Sequence, residues 1–336
     1  MKICYVDLNA GPREHYSVKM KCHGMGDIVA WLRNSLDNFY VHSDKESFEM
    51  LEPVDKKDRC VVLTCEEKQA LIAGEPVENI IPNAESYDIF AHHNVSVHLN
   101  TENINKIQTC WAVGYLEKAH RLNKDIMFFN LDYQKPVFET EHRCFSIKIG
   151  KACPTFQFYE KEDFIFQATN HFNKFQSIEV AQICNNNNIP IIFAGPIDKG
   201  YPLLDYINNK TSFYKGEIGY EEKIELTKKA RAHTLVHSVP IPFTLSGLEA
   251  LSYGAPLITS RHGFWPTFIK PGVNGFLISD AEEFVNAYKG CFSIDQFDCY
   301  KYAFEYDIQK VVTSFVNVFN YLYYEKNHAK FVKHNP

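Results

Sequence analysis

Thr234-Leu235-Val236-His237, then Pro242-Phe243-Thr244-Leu245-Ser246-Gly247-Leu248-Glu249-Ala250-Leu251-Ser252-Tyr253-Gly254, then Pro256-Leu257-Ile258-Thr259 is the stretch on which the fold is read. Two short apolar β-type runs flank one segment of helical pattern. Gly254 and Pro256 stop that segment, because glycine supplies the left-handed turn and proline cannot continue a helix. The unit is strand, helix, strand. A crossover of this kind makes the two strands parallel and places the helix on one face of their sheet.

The same rhythm runs through the chain. In the first half the strand candidates are Ile3–Val6, Phe39–Val41, Cys60–Leu63, Tyr87–Phe90, Thr109–Val113 and Asp125–Phe129. Gly150-Lys151-Ala152-Cys153-Pro154-Thr155 reads as a linker. Beyond it the alternation restarts. Strands are expected at Phe164–Phe166, Ile191–Ala194, Thr211–Tyr214, Thr234–His237, Pro256–Thr259 and after Gly275. Helices are expected at Lys174–Cys184, Glu221–Ala232, Leu245–Tyr253 and Ile308–Tyr324. Two such series in tandem predict an α/β chain of two Rossmann-like, doubly wound parallel-sheet domains facing a cleft. The expected bounds are 1–155, joined by the helix 308–330, and 156–307.

Composition narrows the function classes. The 336 residues are 45% hydrophobic and 23% charged, a globular balance. A net charge of −6 with no basic block argues against a nucleic-acid partner. The start, Met1-Lys2-Ile3-Cys4-Tyr5-Val6, reads as a strand rather than a signal peptide, and no apolar run is long enough to span a bilayer. Ten cysteines without a Cys-x-x-Cys pair read as buried thiols, not as a disulfide frame or zinc site. A cytoplasmic protein without a metal or other cofactor is expected. Its assembly is open between monomer and homodimer.

The chemistry concentrates around the opening stretch. Thr244 is placed to cap the helix that follows. The amides of Leu245, Ser246 and Gly247 would then form an anion site suited to a diphosphate. Gly247 would let the backbone approach that ligand closely. A carboxylate one turn in, at Glu249, can accept bonds from two adjacent hydroxyls, as on a ribose. The competing reading is a capping box, Ser246-Gly247-Leu248-Glu249, in a helix that begins at Gly247.

The run Pro242 to Ile258 resembles the donor-site signature of retaining type B glycosyltransferases, family 4. Gly263-Phe264-Trp265-Pro266, Pro271-Gly272-Val273-Asn274-Gly275-Phe276-Leu277, Phe193-Ala194-Gly195-Pro196 and Tyr214-Lys215-Gly216 follow the family's order. The resemblance covers about 163–320. Over the first half it rests on Gly24-Met25-Gly26-Asp27. It implies that Glu249 binds the ribose, that Thr244–Gly247 hold the diphosphate together with Lys174, and that Gly195, Pro196, Gly216 and Glu217 lie near the donor and its base.

It further implies retention of anomeric configuration without a metal, a nucleotide-sugar donor with GDP-mannose first among donors, and a glycan or glycoprotein acceptor on the first domain. Candidates for chemistry there are His92, His93 and Asp7, with Gly24 and Gly26 near the donor. Departures from the pattern are Ile241 and Thr267, each at a glutamate position, and Thr169, at an arginine position. They leave two alternatives open. One is a catalytically degenerate nucleotide-sugar binder, and the other is a nucleotide-sugar epimerase on the same fold.

Overall fold

The computed structural model describes residues 1–6, 29, 32, 36–43, 60–92, 99–112, 126–129, 144–148, 150–170, 172–237 and 244–334. They fall into two compact units. The second spans Gly150–Asp307, and the first holds the remaining strands together with the terminal helix.

The first unit carries a seven-stranded parallel sheet. Its strands are β1 (Ile3–Val6), β2 (Phe39–Ser43), β3 (Cys60–Val62), β4 (Ile89–His92), β5 (Ile107–Ala112), β6 (Ile126–Phe129) and β7 (Cys144–Ser146), in the order β3-β2-β1-β4-β5-β6-β7. The order reverses between β1 and β4, the mark of a doubly wound sheet. Every residue of β1 is buried, as a strand covered on both faces requires. After β3 comes helix α1 (Cys65–Ile72), which the sequence reading did not pick out. Thr64 and Glu67 form a reciprocal capping box at its start. The terminal helix, α8 (Ile308–His334), runs further than expected. Phe315 and Phe319 reach Trp111 of β5, with ring centroids 4.8 and 6.3 Å away. That aromatic contact accounts for α8 returning to the first sheet.

The second unit carries a six-stranded parallel sheet. Its strands are β8 (Glu162–Ala168), β9 (Ile191–Ala194), β10 (Ser212–Tyr214), β11 (Ala230–Leu235), β12 (Leu257–Ser260) and β13 (Gly275–Ile278), in the order β10-β9-β8-β11-β12-β13. The reversal falls between β8 and β11. Helix α2 (Ser177–Asn187) and helix α6 (Ala281–Cys291) cover one face, where Val180, Cys184 and Phe284 meet Ile165, Phe193 and Ile258. Helix α3 (Tyr220–Lys229) covers the other, where Leu226 meets Phe164, Phe166 and Ala230. Helix α7 (Gln296–Phe304) follows α6.

Two boundaries differ from expectation. The helix expected to end at Ala232 stops at Lys229, and β11 begins at Ala230. Sequence charge runs up to Arg231, yet Arg231 pairs with Asp163 beside its own strand at 2.9 Å, so the charged run crosses from helix into strand. Helix α2 starts at Ser177, because Phe172–Lys174 forms a tighter turn of its own. Asn188, in the left-handed conformation at φ 54°, ends it. Among the described residues no helix is long and apolar enough to cross a membrane.

Trp111 is fully buried between β1 and α8. Trp111→Ala should cost about 3–5 kcal/mol, the usual cost of emptying a buried aromatic site. Denaturant unfolding should show it as an earlier transition of the first unit.

Candidate functional site

The candidate site lies in the second unit, at the carboxyl ends of the strands where the order reverses. Helix α4 (Leu245–Ser252) follows β11. It begins at Leu245, with Thr244 extended at φ −113° and ψ 134° in the capping position. This start rules out the capping box at Ser246, which needs the helix to begin two residues later. Thr244 does not cap through its side chain, and its buried Oγ1 has no hydrogen bond among the described residues. Gly247 donates its N–H to Thr244 O at 3.2 Å, so that amide is spent within the first turn. Helix geometry leaves Leu245 and Ser246 as the two amides in this turn without an intrahelical acceptor.

Gly247 also serves a different purpose from the expected one. A Cβ there would sit 2.8 Å from Trp265 Cη2 and 3.1 Å from Leu235 Cδ1. The missing side chain makes room for an indole in the core. Trp265 itself is fully buried, in the short helix α5 (Trp265–Phe268). Its indole N–H donates to His237 Nε2 at 2.7 Å. Since Nε2 accepts, the proton of a neutral His237 sits on Nδ1, which faces Ser260 Oγ at 3.0 Å. His262 Nε2 reaches the His237 carbonyl at 2.6 Å.

Glu249 is the centre of the site. Its side chain is 4% exposed, and the two carboxylate oxygens are held by two different lysines. Lys151 Nζ takes Oε1. Lys223 Nζ, from the first turn of α3, takes Oε2 at 2.7 Å. Both ammonium groups also lie over the Tyr220 ring, 5.3 and 4.9 Å from its centre. Burial pushes the Glu249 pKa up, but Lys151 and Lys223 outweigh it and hold the carboxyl below its ordinary value. The group is therefore an anion at neutral pH, held between two ammonium groups.

A small pocket adjoins this cluster. Its walls are Ala168 and Asn170 after β8, Ala194, Gly195 and Pro196 after β9, and Glu217, Ile218 and Lys223 leading into α3. Gly195 is needed there. Its φ is +130°, and a Cβ would fall 1.9 Å from Thr169 O. Thr169 in turn donates its N–H to Ala194 O at 3.1 Å. Gly216, at φ +71°, accepts from the Gly195 amide at 2.8 Å and so fixes the two loops together.

The expected residues thus divide. Gly195, Pro196 and Glu217 line one pocket, Thr169 and Gly216 shape its wall, and Glu249 reaches it through Lys223. Lys174 is exposed, in the turn before α2 rather than at a helix start. His92 ends β4 in the first unit and is 0% exposed, so it is a core residue rather than a loop histidine. Asp7, Gly24, Gly26, His93 and Ile241 lie outside the described residues. Two lysines were missed. Lys151 sits in what reads as a linker, and Lys223 in the helix expected at Glu221–Ala232. The sole signal in the sequence was that a buried carboxylate needs cations.

The comparisons with known proteins follow this geometry. A family model described as glycosyl transferases group 1 matches residues 163–290. The structure of AviGT4, a glycosyltransferase involved in avilamycin A biosynthesis, superposes with a TM-score of 0.66 at 15% identity, over 96% of this chain and 98% of that one. HepE from Anabaena, in complex with UDP, gives 0.65 at 15% identity, over 95% and 100%. Sucrose-phosphate synthase from Thermosynechococcus elongatus gives 0.64 at 12%, over 97% and 100%. No curated protein matches the sequence.

The fold is that of the type B glycosyltransferases. The group 1 sequence pattern covers most of its second unit, including the pocket and helix α4.

Replacing Glu249 tests the cluster. Glu249→Gln leaves two buried ammonium groups facing each other and should cost about 3–5 kcal/mol. The pH dependence has a definite sign. A carboxyl with a lowered folded pKa contributes stability above its unfolded value of about 4.3. That contribution is lost as pH falls through the folded value. Thermal melts from pH 7 to 3 should fall less steeply for Glu249→Gln than for the parent protein.

Proposed function

We propose that the protein transfers a hexose from a nucleotide diphosphate sugar to a hydroxyl group of a glycan, with retention of anomeric configuration and without a metal. The observation that carries this reading is the ionised, nearly buried Glu249 beside the pocket at the sheet's reversal point. A carboxylate in that position suits the two adjacent hydroxyls of a ribose. The cationic cluster and the two open amides of α4 suit the diphosphate. The match to glycosyl transferases group 1 supports transfer as the reaction class.

The donor base is proposed as uracil. HepE, which superposes along nearly the whole chain, is described in complexes with UDP and with UDP-glucose. GDP-mannose, the donor that the family resemblance implies first, is the competing choice. In the proposed reaction the nucleotide diphosphate leaves from the same face that the acceptor hydroxyl attacks. The bond from the anomeric carbon to the diphosphate oxygen breaks as the bond to the acceptor oxygen forms. The departing diphosphate takes the hydroxyl proton. Lys223 and the amides of Leu245 and Ser246 would stabilise its charge electrostatically.

Calorimetric titration with UDP-glucose, UDP-N-acetylglucosamine, GDP-mannose and ADP-glucose separates the choices. A UDP-sugar should bind most tightly, and mass spectrometry should detect its slow hydrolysis or transfer. Tighter binding of GDP-mannose would reverse the base assignment. Absence of binding by every donor would end the proposal. Glu249→Ala, assayed at a temperature where it remains folded, should weaken the nucleotide by about 1.5–3 kcal/mol, the value of hydrogen bonds to a charged group.

A further inference from the structure

The two lysines on Glu249 are not equivalent. Lys151 belongs to the segment that enters the second unit. Its backbone N–H donates to Tyr306 O at 3.2 Å, and that of Cys153 donates to Asp307 Oδ2 at 3.0 Å. The segment is thus fastened at Lys151 and at Cys153, and from it Lys151 reaches Oε1. Lys223 stands on α3 and is itself a wall of the pocket, facing Asn170, Gly195, Pro196 and Glu217. It is only 13% exposed, yet it touches both the carboxylate and the space a ligand would enter.

The charge balance of the site has a second feature. The strand end that faces Lys223 across the pocket carries Ala168, then Thr169 and Asn170, with no cationic side chain. Glu217, also on the wall, is an anion. Among the described residues of this pocket's lining, Lys223 is therefore the cation. A polyanion that enters beside Glu217 finds its ionic partner in Lys223.

We infer that Lys223 is a ligand-contacting residue: on binding, its ammonium exchanges Glu249 Oε2 for an oxygen of the nucleotide's ribose-phosphate portion. The exchange leaves Lys151 on Oε1, so Glu249 stays charged and fixed. Oε2 becomes free to accept from a ribose hydroxyl. The ammonium loses one anionic partner and gains another, so neither charge is buried alone at any stage. This inference rests on the nucleotide-sugar reading above. It adds a contact which the sequence pattern does not supply, because the pattern's arginine position is Thr169.

The test is titration of UDP, GDP and uridine into the parent protein, Lys223→Met and Lys223→Gln, at low and high salt. Lys223→Gln keeps a hydrogen-bond donor for Glu249 without the charge, and guards against a methionine variant that does not fold. Both variants should bind the preferred nucleoside diphosphate at least tenfold more weakly. Their affinity should also fall less between low and high salt, because one ionic contact is gone. Lys151→Met should behave differently. With one cation removed the Glu249 pKa rises, so nucleotide binding should be lost at a higher pH as the solution is acidified.

Unchanged affinity and salt dependence in folded Lys223 variants would overturn the inference while leaving the nucleotide-sugar reading intact. Tighter binding would overturn it too, since Lys223 would then only compete for Glu249. A parent protein that binds no nucleoside diphosphate would overturn both together.

Discussion

A carboxylate removed from water has to be matched at close range, and the second unit is arranged around that requirement at Glu249. Three segments distant in sequence meet there: the entering segment through Lys151, α3 through Lys223, and α4 through Glu249 itself. Lys161 completes the arrangement at the opposite ends of the two helices. Its Nζ donates to Lys228 O at 2.8 Å and Tyr253 O at 2.9 Å, the closing carbonyls of α3 and α4. The helix pair is thus tied at both ends by lysine side chains.

These ties have electrostatic consequences for their neighbours. Burial lowers the Lys161 pKa to about 7. His233, on β11, is pushed down to about 3, first by burial and then by Lys161 and Lys223, with Glu249 opposing. A histidine at that position remains neutral under ordinary conditions and adds no further cation. The charge of the cluster is therefore set by Glu249 and its lysines.

Much of the fold was legible in the sequence. Strands such as Ile3–Val6 and Ile191–Ala194 are apolar runs closed by turn residues, and local pattern suffices for them. Helix α4 was legible for the same reason, with Gly254 at φ +70° ending it. Boundaries failed where local signals compete with packing, as where the charged run of α3 continues into β11. The site was legible in its strand-end turns and in Glu249, but not in the lysines around them. Gly195, Pro196 and Glu217 could be found because loops at strand ends carry glycine and proline for geometric reasons. Lys151 and Lys223 could not, since an ion pair between residues 98 positions apart leaves no local trace. Gly247 was legible as a position that excludes a side chain, but its neighbour Trp265 was not.

The indole of Trp265 lies under the first turn of α4 and is anchored by His237, so the helix start rests on a residue wholly inside the protein. A side chain that never meets solvent can in this way dictate where the amides of Leu245 and Ser246 point. Variant libraries scored by activity alone would group Trp265 and His237 with the ligand-touching positions. Substitutions in the turn after β12 and in α5, the threonine at position 267 included, are tolerable only so far as they leave that internal wedge in place.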